Sequence, residues 1–350
     1  MANEDCGEDG RETRMGKMEI GMDILESKAG PSIFARPGKG GAGMPPPLVS
    51  VCIGAYNRKD TIRECVDSAL GQTWPNKEVV VVDDASTDGT REILEDYGKQ
   101  IRLVCRKTNS GICPVTRNQA VAASAGEYVA FLDSDDVWYP EKLEKQVAFL
   151  DSHPDIPLCH TLCNVIDRES KVVGVRQPSE TMPKTGWIFD RLLDHCWITI
   201  STVMVRRSLF SEVGSFNEGE PYGKLGEDHE FFLRVAKKHP IGLVEEILAG
   251  FRKGGQGITA NNWKANPEPV PLFQALLERR DIWGDVVPRR RMVRALTDKC
   301  DENAWFYRNR GEPQRAWWFV RQALRAEWNN HRAWRHAMGL LSGRRKRTGW

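Results

Sequence analysis

Four short apolar runs alternate with three amphipathic segments between Leu48 and Leu132, and this order points to an α/β fold whose strands run parallel. Leu48–Ala55 (LVSVCIGA), Glu78–Val82 (EVVVV), Ile101–Cys105 and Glu127–Leu132 (EYVAFL) are strand-like. Between them, Thr61–Leu70 places Ile62, Val66, Ala69 and Leu70 at helical spacing. A second helix opens at Asp88-Gly89-Thr90, with Asp88 or Ser86 as N-cap, and Val115–Ala125 forms a third. Helices therefore cover both faces of the sheet. In sheets of this kind the ligand sits beyond the carboxyl ends of the strands.

Three of those ends are polar. The first strand runs into Tyr56-Asn57, the second into Asp83-Asp84-Ala85-Ser86 and the fourth into Asp133-Ser134-Asp135-Asp136. Carboxylates gathered at one rim are costly unless something positive joins them. Asp133 and Asp135, with one residue between them, suit a hard divalent ion, Mg²⁺ or Mn²⁺, whose remaining ligands are waters and substrate phosphates. The competing reading makes Asp133–Asp136 an Asx-turn cluster that caps a helix beginning near Pro140, with Trp138 in the core. A second acidic group, Gly226-Glu227-Asp228-His229-Glu230, precedes a helix that carries Phe231, Phe232 and Val235 on one face. Carboxylates in a first helical turn are favoured by the dipole, so capping alone also accounts for them.

The runs VSVCIGAYNRKDTIRECVDSALGQTWPNKEVVVVDDASTDGT and NSGICPVTRNQAVAASAGEYVAFLDSDDVW resemble the amino-terminal half of a family 2 glycosyltransferase with the GT-A fold, a Rossmann-like, mostly parallel sheet flanked by helices. The resemblance covers Leu48–Leu150 and continues more weakly, through ISTVMVRRSLFSEVGSFNE and GEDHEFFLRV, to about Thr259. It implies that Tyr56 and Asn57 border a nucleotide base and that Asp84 hydrogen-bonds the base or ribose. Asn109, Gly111, Arg117 and Asn118 would line the donor pocket. Asp135 would ligate the metal, Asp133 would reach the donor sugar or ribose or share the metal, and Asp136 is open as a substitute ligand. The Glu227-Asp228 pair matches the family's ED motif, with Asp228 as general base, and His229 remains an alternative. Phe216-Asn217-Glu218 departs from the family's Phe-Asp-Glu. Phe251-Arg252-Lys253-Gly254 lacks the His of the family's late element, which leaves Arg252 or Lys253 for the diphosphate. The QxxRW signature of processive synthases is absent, because Gln274 and Trp283 do not reproduce its spacing.

With 350 residues and 40% hydrophobic content, the chain can bury a substantial core. We divide it into a disordered leader (1–44), a GT-A domain (45–265) and a basic, Trp-rich helical C-terminal region (266–350). The formal charge of +2 conceals an asymmetry: residues 271–350 hold 18 Lys and Arg against 8 Asp and Glu, a net of +10, leaving −8 on the rest. Seven of the twelve Trp also fall in those 80 residues. This region is either a peripheral helix on an anionic membrane or helices folded onto the catalytic body. No nucleic-acid motif accompanies it, so we expect no nucleic-acid partner. The nine cysteines form no disulfide framework. Cys52, Cys105 and Cys159 sit in strand-like runs, and all nine are read as reduced and mostly buried. No signal-peptide core appears near the start, and no run approaches the roughly 18 apolar residues of a membrane span. A cytoplasmic enzyme, peripheral at the inner membrane face at most, fits these features.

The function expected is a metal-dependent, inverting, non-processive transfer of sugar from a nucleotide sugar, UDP-linked, to a hydroxyl of a glycan or lipid-linked acceptor, in cell-surface polysaccharide biosynthesis. The alternatives are a sugar-phosphate nucleotidyltransferase and a non-catalytic adaptor that keeps a donor-like pocket.

Overall fold

The apolar runs form strands because both faces of the sheet they build are covered. The computed structural model describes residues 45–176, 185–194, 196–219, 226–253, 274, 277–278 and 287–342. The expected leader, Trp283 and the basic run Arg344–Arg347 lie outside the described residues. In chain order the elements are β1 (Val49–Ala55), α1 (Ile62–Leu70), β2 (Lys77–Asp83), α2 (Thr90–Glu95), β3 (Arg102–Cys105), α3 (Cys113–Ala123), β4 (Tyr128–Asp133), β5 (Val137–Trp138) and α4 (Lys142–Ser152). These are followed by β6 (Leu158–Ile166), β7 (Val172–Arg176), α5 (Phe189–Asp194), β8 (Met204–Arg206), α6 (Leu209–Val213), α7 (Glu227–Lys238) and β9 (Ile241–Arg252). Three helices close the described chain: α8 (Arg289–Asn309), α9 (Pro313–Ala326) and α10 (His331–Leu341).

The sheet order is β3-β2-β1-β4-β8-β6-β9-β5, with β7 paired to the outer part of β6. β3, β2, β1 and β4 are parallel, as expected, and β8 enters antiparallel to both β4 and β6. Side chains alternate between two cores. Val79, Val81, Ala130 and Leu132 pack with α1 and α4, whereas Val80, Val82, Val129 and Phe131 face the opposite core with α3, α5 and α7. The second core continues without a break into Leu296, Ala304, Tyr307, Phe319 and Ala333 of the last three helices. Tyr307 and Phe319 stack at 5.5 Å, and the Arg291 guanidinium donates to Asp190 O and Asp194 Oδ1 of α5. The C-terminal helices are thus built into the body.

One alternative is decided and one expectation changes. The C-terminal region is helices folded onto the body, and within it Asn330 Oδ1 accepts from Ala333 N at 2.9 Å and starts α10 apart from α9. Cys52 and Cys159 are buried, but Cys105 is exposed because β3 is the edge strand.

One glycine sets the seat of α3. A Cβ on Gly54, near the end of β1, would lie 2.3 Å from Thr116 Oγ1, so α3 rests directly on strand backbone, with Arg117 the next residue along. Overpacking a well-filled core costs about 1–3 kcal/mol. Gly54→Ala should therefore lower the thermal midpoint by several degrees and reduce activity through displacement of Arg117. An unchanged midpoint would contradict this packing.

Candidate active site

The loops after β1 and β2 are tied to each other. Asn57 N donates to Ser86 Oγ at 3.0 Å, Thr87 N donates to Asn57 Oδ1 at 2.9 Å, and Arg58 N donates to Thr90 Oγ1 at 2.7 Å. Asn57 and Ala85 both adopt positive φ, 52° and 61°. Asn tolerates that region and Ala does not readily, so the strain at Ala85 is held by its bonded neighbours. The N-cap of α2 is Gly89, not Asp88 or Ser86; Asp88, one residue earlier, accepts from Thr90 N and Lys59 N and ties the helix start to the β1 loop. Tyr56 stands at the rim, 43% exposed.

Asp84 is buried and fully used. Its carboxylate accepts from Ser110 N and Ser110 Oγ at 3.0 and 2.7 Å and pairs with Arg106 Nε at 2.7 Å, while Asn109 Nδ2 donates to Asp84 O. Gly111, at φ 74°, turns the chain out of that contact. The structure thus brings Asp84, Asn109 and Gly111 together. Asn118 is elsewhere: its amide clamps the turn at Phe216–Glu218, donating to Phe216 O and Glu218 Oε1 and accepting from Phe216 N. It shapes the loop before α7 instead of lining the base loop.

The run Asp133–Asp136 holds three carboxylates in three environments. Asp136 is 1% exposed, and its oxygens accept from Arg252 N at 2.8 Å and Ser201 Oγ at 2.5 Å. That is a structural role, and it withdraws Asp136 as a substitute ligand. Asp133 accepts from Arg117 Nη2 at 2.8 Å but keeps its side chain 37% exposed. Asp135 makes no such direct pair: Arg58 Nε stands at 3.8 Å, and Arg252 adds positive charge. Burial pushes the Asp135 carboxyl up and the charge of Asp133 adds to this, with Arg58 opposing. The loop backbone is fixed from outside: Thr61 Oγ1 donates to Ser134 O and Arg252 Nε donates to Asp135 O. Arg252 also donates to Asp167 O, Arg168 O, Ser170 Oγ and Glu64 Oε2, so its guanidinium is committed to structure.

These residues fit a divalent ion. Asp133 is paired with Arg117, but the carboxyl of Asp135 is still pushed up by burial and by Asp133, and Arg58 Nε is buried without a hydrogen-bond acceptor beside them. Among the described residues no cluster of three or more potential ligand side chains is preformed. The pair matches an ion that takes one or two carboxylates and completes its shell with phosphate and water.

Arg117 joins this loop to the second acidic group. It is 7% exposed, and while Nη2 holds Asp133, Nη1 donates to Glu227 Oε1 at 2.5 Å. Burial drives Glu227 up to about 7, Arg117 opposes that shift, and Asp228 reinforces it. Asp228 is half-buried and caps its own helix, accepting from His229 N at 2.7 Å. His229 is buried with Nε2 donating to Leu192 O at 2.7 Å, and Glu230 is paired with Arg234, which leaves Asp228 as the accessible carboxylate of the group. The sequence reading did not single out Arg58 or Arg106. Both follow strand ends, but their partners are carboxylates distant in sequence.

A family model described as glycosyl transferase family 2 matches residues 50–214. TuaG of Bacillus subtilis, a glycosyltransferase assigned to teichuronic acid biosynthesis, is 34% identical over 223 residues, 63% of this chain and 84% of TuaG. The chain belongs to glycosyltransferase family 2. The Escherichia coli UDP-Glc:α-D-GlcNAc-diphosphoundecaprenol β-1,3-glucosyltransferase WfaP is 35% identical over 194 residues, 55% of this chain and 71% of WfaP. Staphylococcus aureus TarS (residues 1–349) in complex with UDP-GlcNAc superposes with a TM-score of 0.60 at 21% identity, covering 86% of this chain and 93% of that one. The mannosyltransferase PcManGT of Pyrobaculum calidifontis, solved with GDP-Man and Mn²⁺, gives 0.54 at 20% identity, covering 85% of this chain and 80% of that one. The family's GT-A fold is therefore the fold of this glycosyltransferase.

Removing one member of a buried ion pair costs about 3–5 kcal/mol. Arg117→Ala should lower the unfolding midpoint in urea substantially, and Arg117→Ala with Glu227→Gln should recover part of the loss; additive losses would argue against the bridge. Glu227 supplies a pH signature. Its folded pKa lies above the unfolded one, so its contribution to stability is complete below about 4.5 and is lost as pH rises through about 7. In that window the group contributes a slope of up to about 1.4 kcal/mol per pH unit. The melting temperature of Glu227→Gln should depend on pH less steeply between those values than that of the parent, and parallel curves would reject the assignment.

Proposed function

We propose that this glycosyltransferase moves one sugar per encounter from a UDP-linked donor to a hydroxyl of a glycan or lipid-linked acceptor, with inversion, in the assembly of a cell-surface polysaccharide. The observation that carries the reading is the under-compensated Asp135 beside the base loop, joined through Asp133 and Arg117 to the helix start that presents Asp228. The names of the relatives support the donor and acceptor classes: UDP-Glc and a diphosphoundecaprenol-linked sugar for WfaP, teichuronic acid for TuaG and UDP-GlcNAc for the TarS complex.

On this reading Tyr56 and Asn57 border the base, and the Asp84–Ser110–Arg106 cluster fixes the floor on which base and ribose rest. Asp133 and Asp135 would hold Mn²⁺ or Mg²⁺, which when bound supplies Lewis-acid stabilisation of the departing diphosphate. Arg58 lies between the base loop and Asp135, where the diphosphate must pass, and its guanidinium is a second positive group for the leaving phosphates. Asp228 accepts the proton of the acceptor hydroxyl as the new oxygen–carbon bond forms at C1 and the bond from C1 to the diphosphate oxygen breaks. A carboxylate in that role contributes about 10²–10⁴ in rate. Attack opposite the leaving group inverts C1. Arg117 holds Asp133 and Glu227 in register, so donor and base sites share one anchor.

The test is a screen of nucleotide sugars for transfer or donor hydrolysis, with Mn²⁺, with Mg²⁺ and with chelator. Asp228→Asn should lose about 10²-fold or more in turnover while still binding UDP. Asp135→Asn should lose the metal-dependent part of UDP binding as well as turnover. Full activity in either variant, or pyrophosphate release from sugar phosphate and nucleoside triphosphate, would sink the reading.

A further inference from the structure

α10 has two unlike faces. Ala333 and Ala337 are buried against the neighbouring helices, and their small side chains let α10 sit close to α8. The other face carries Trp334, Met338 and Leu341 at four- and three-residue spacing, a single stripe along the helix. Met338 is 63% and Leu341 71% exposed. Trp328, in the turn before α10, extends the stripe. It is 72% exposed, its ring meets Trp334 edge-on at 5.1 Å, and Trp334 Nε1 donates to Trp328 O at 2.9 Å. The two indoles are therefore held together at the surface, and contiguous exposed apolar groups of this kind mark an interaction site.

Charge decides what covers it. From Trp328 to Trp350 the sequence holds six Lys and Arg and no Asp or Glu; Arg332 is paired with Asp298 and Asp301 of α8, and Arg335 is exposed next to Trp334. A second copy of this chain docking stripe to stripe would set Arg335 against its like, which opposes self-association. An anionic bilayer satisfies both features. Indoles and apolar side chains enter the headgroup region, and the basic groups meet lipid phosphates. We propose that the Trp328–Trp334–Met338–Leu341 face docks on the surface of an anionic lipid bilayer. The surface does not depend on the glycosyl-transfer reading, although it would serve an acceptor carried on lipid. The helices behind it are anchored on α5 through Arg291, and α5 meets the start of α7 through His229, so a docked bundle is mechanically continuous with the element that bears Asp228.

The experiment is flotation of the full chain with extruded vesicles of equal phosphatidylglycerol and phosphatidylcholine, against vesicles of phosphatidylcholine alone. Partitioning should be at least about tenfold stronger on the anionic vesicles and should weaken when salt is raised to about 0.5 M. Met338→Glu with Leu341→Glu should lose about tenfold or more of the anionic binding at an unchanged melting temperature and unchanged donor hydrolysis. Arg335→Glu should weaken binding without removing an apolar group. Equal binding to both vesicles, no binding to either, or full binding by the double variant would overturn the proposal. So would a parent dimer in light scattering that the double variant converts to monomer.

Discussion

The buried guanidinium of Arg117 is the interaction on which the rest of the site depends. It takes one carboxylate from the end of a sheet strand and one from the start of α7, elements that no backbone hydrogen bond joins at that point. A lysine would supply the charge but not two donors in a fixed plane. Because Arg117 follows Thr116, whose side chain lies against Gly54, its position is set by close backbone packing of α3 on β1. The ring of Phe216 lies 5.8 Å from the same guanidinium, and Asn118 on the next position grips the turn that carries Phe216. One turn of α3 therefore organises the strand end, the loop before α7 and the start of α7.

Much of this was legible in the sequence because it is local. β-branched runs, helical spacing and acidic strand ends are properties of a few adjacent residues, and they placed β1 to β4, α1 to α3 and the start of α7 within a residue or two of where they stand. What escaped is the pairing of groups far apart in the chain. Arg252 reads as a phosphate ligand when only its neighbours are known. In the fold it reaches Glu64, 188 residues away, and stitches that residue to the Asp135 backbone. Asn118 reads as a pocket residue beside Arg117, but one position on a helix is a turn of about 100°, and its amide meets the Phe216 backbone and Glu218 while Arg117 meets Asp133 and Glu227. Cys105 was misjudged for a related reason: composition marks a strand, but not whether the strand lies at the edge.

The C-terminal helices show the same limit at a larger scale. Their net charge and Trp content suggested an appendage with its own business. Tyr307, Phe319 and Ala323 instead complete the core that Phe231 and Val235 of α7 begin, while Trp305, Trp318 and the far side of α10 stay exposed. The region's basic character therefore belongs to its outer surface, and its apolar residues divide between a shared core and that surface. Charge asymmetry along a sequence identifies two chemistries; it does not identify two bodies.

The three aspartates after β4 show how a fold gives identical side chains different work. Each would cost several kcal/mol to bury as an unpaired charge. Asp136 accepts two hydrogen bonds, yet burial still pushes its carboxyl well up, whereas Asp133 holds a buried arginine and remains partly in water. Asp135 has no directly bonded arginine: it is mostly buried, its near neighbour is another carboxylate, Arg58 stops at 3.8 Å and Arg252 acts through its charge. On the proposed reading, a divalent cation held by Asp135 and Asp133 would offset that cost. The same geometry explains why Arg58 stands back. An arginine bonded directly to Asp135 would neutralise it permanently, whereas one held by the carbonyls of Tyr56 and Asn57 leaves the carboxylate free for the metal and diphosphate of the proposed reading.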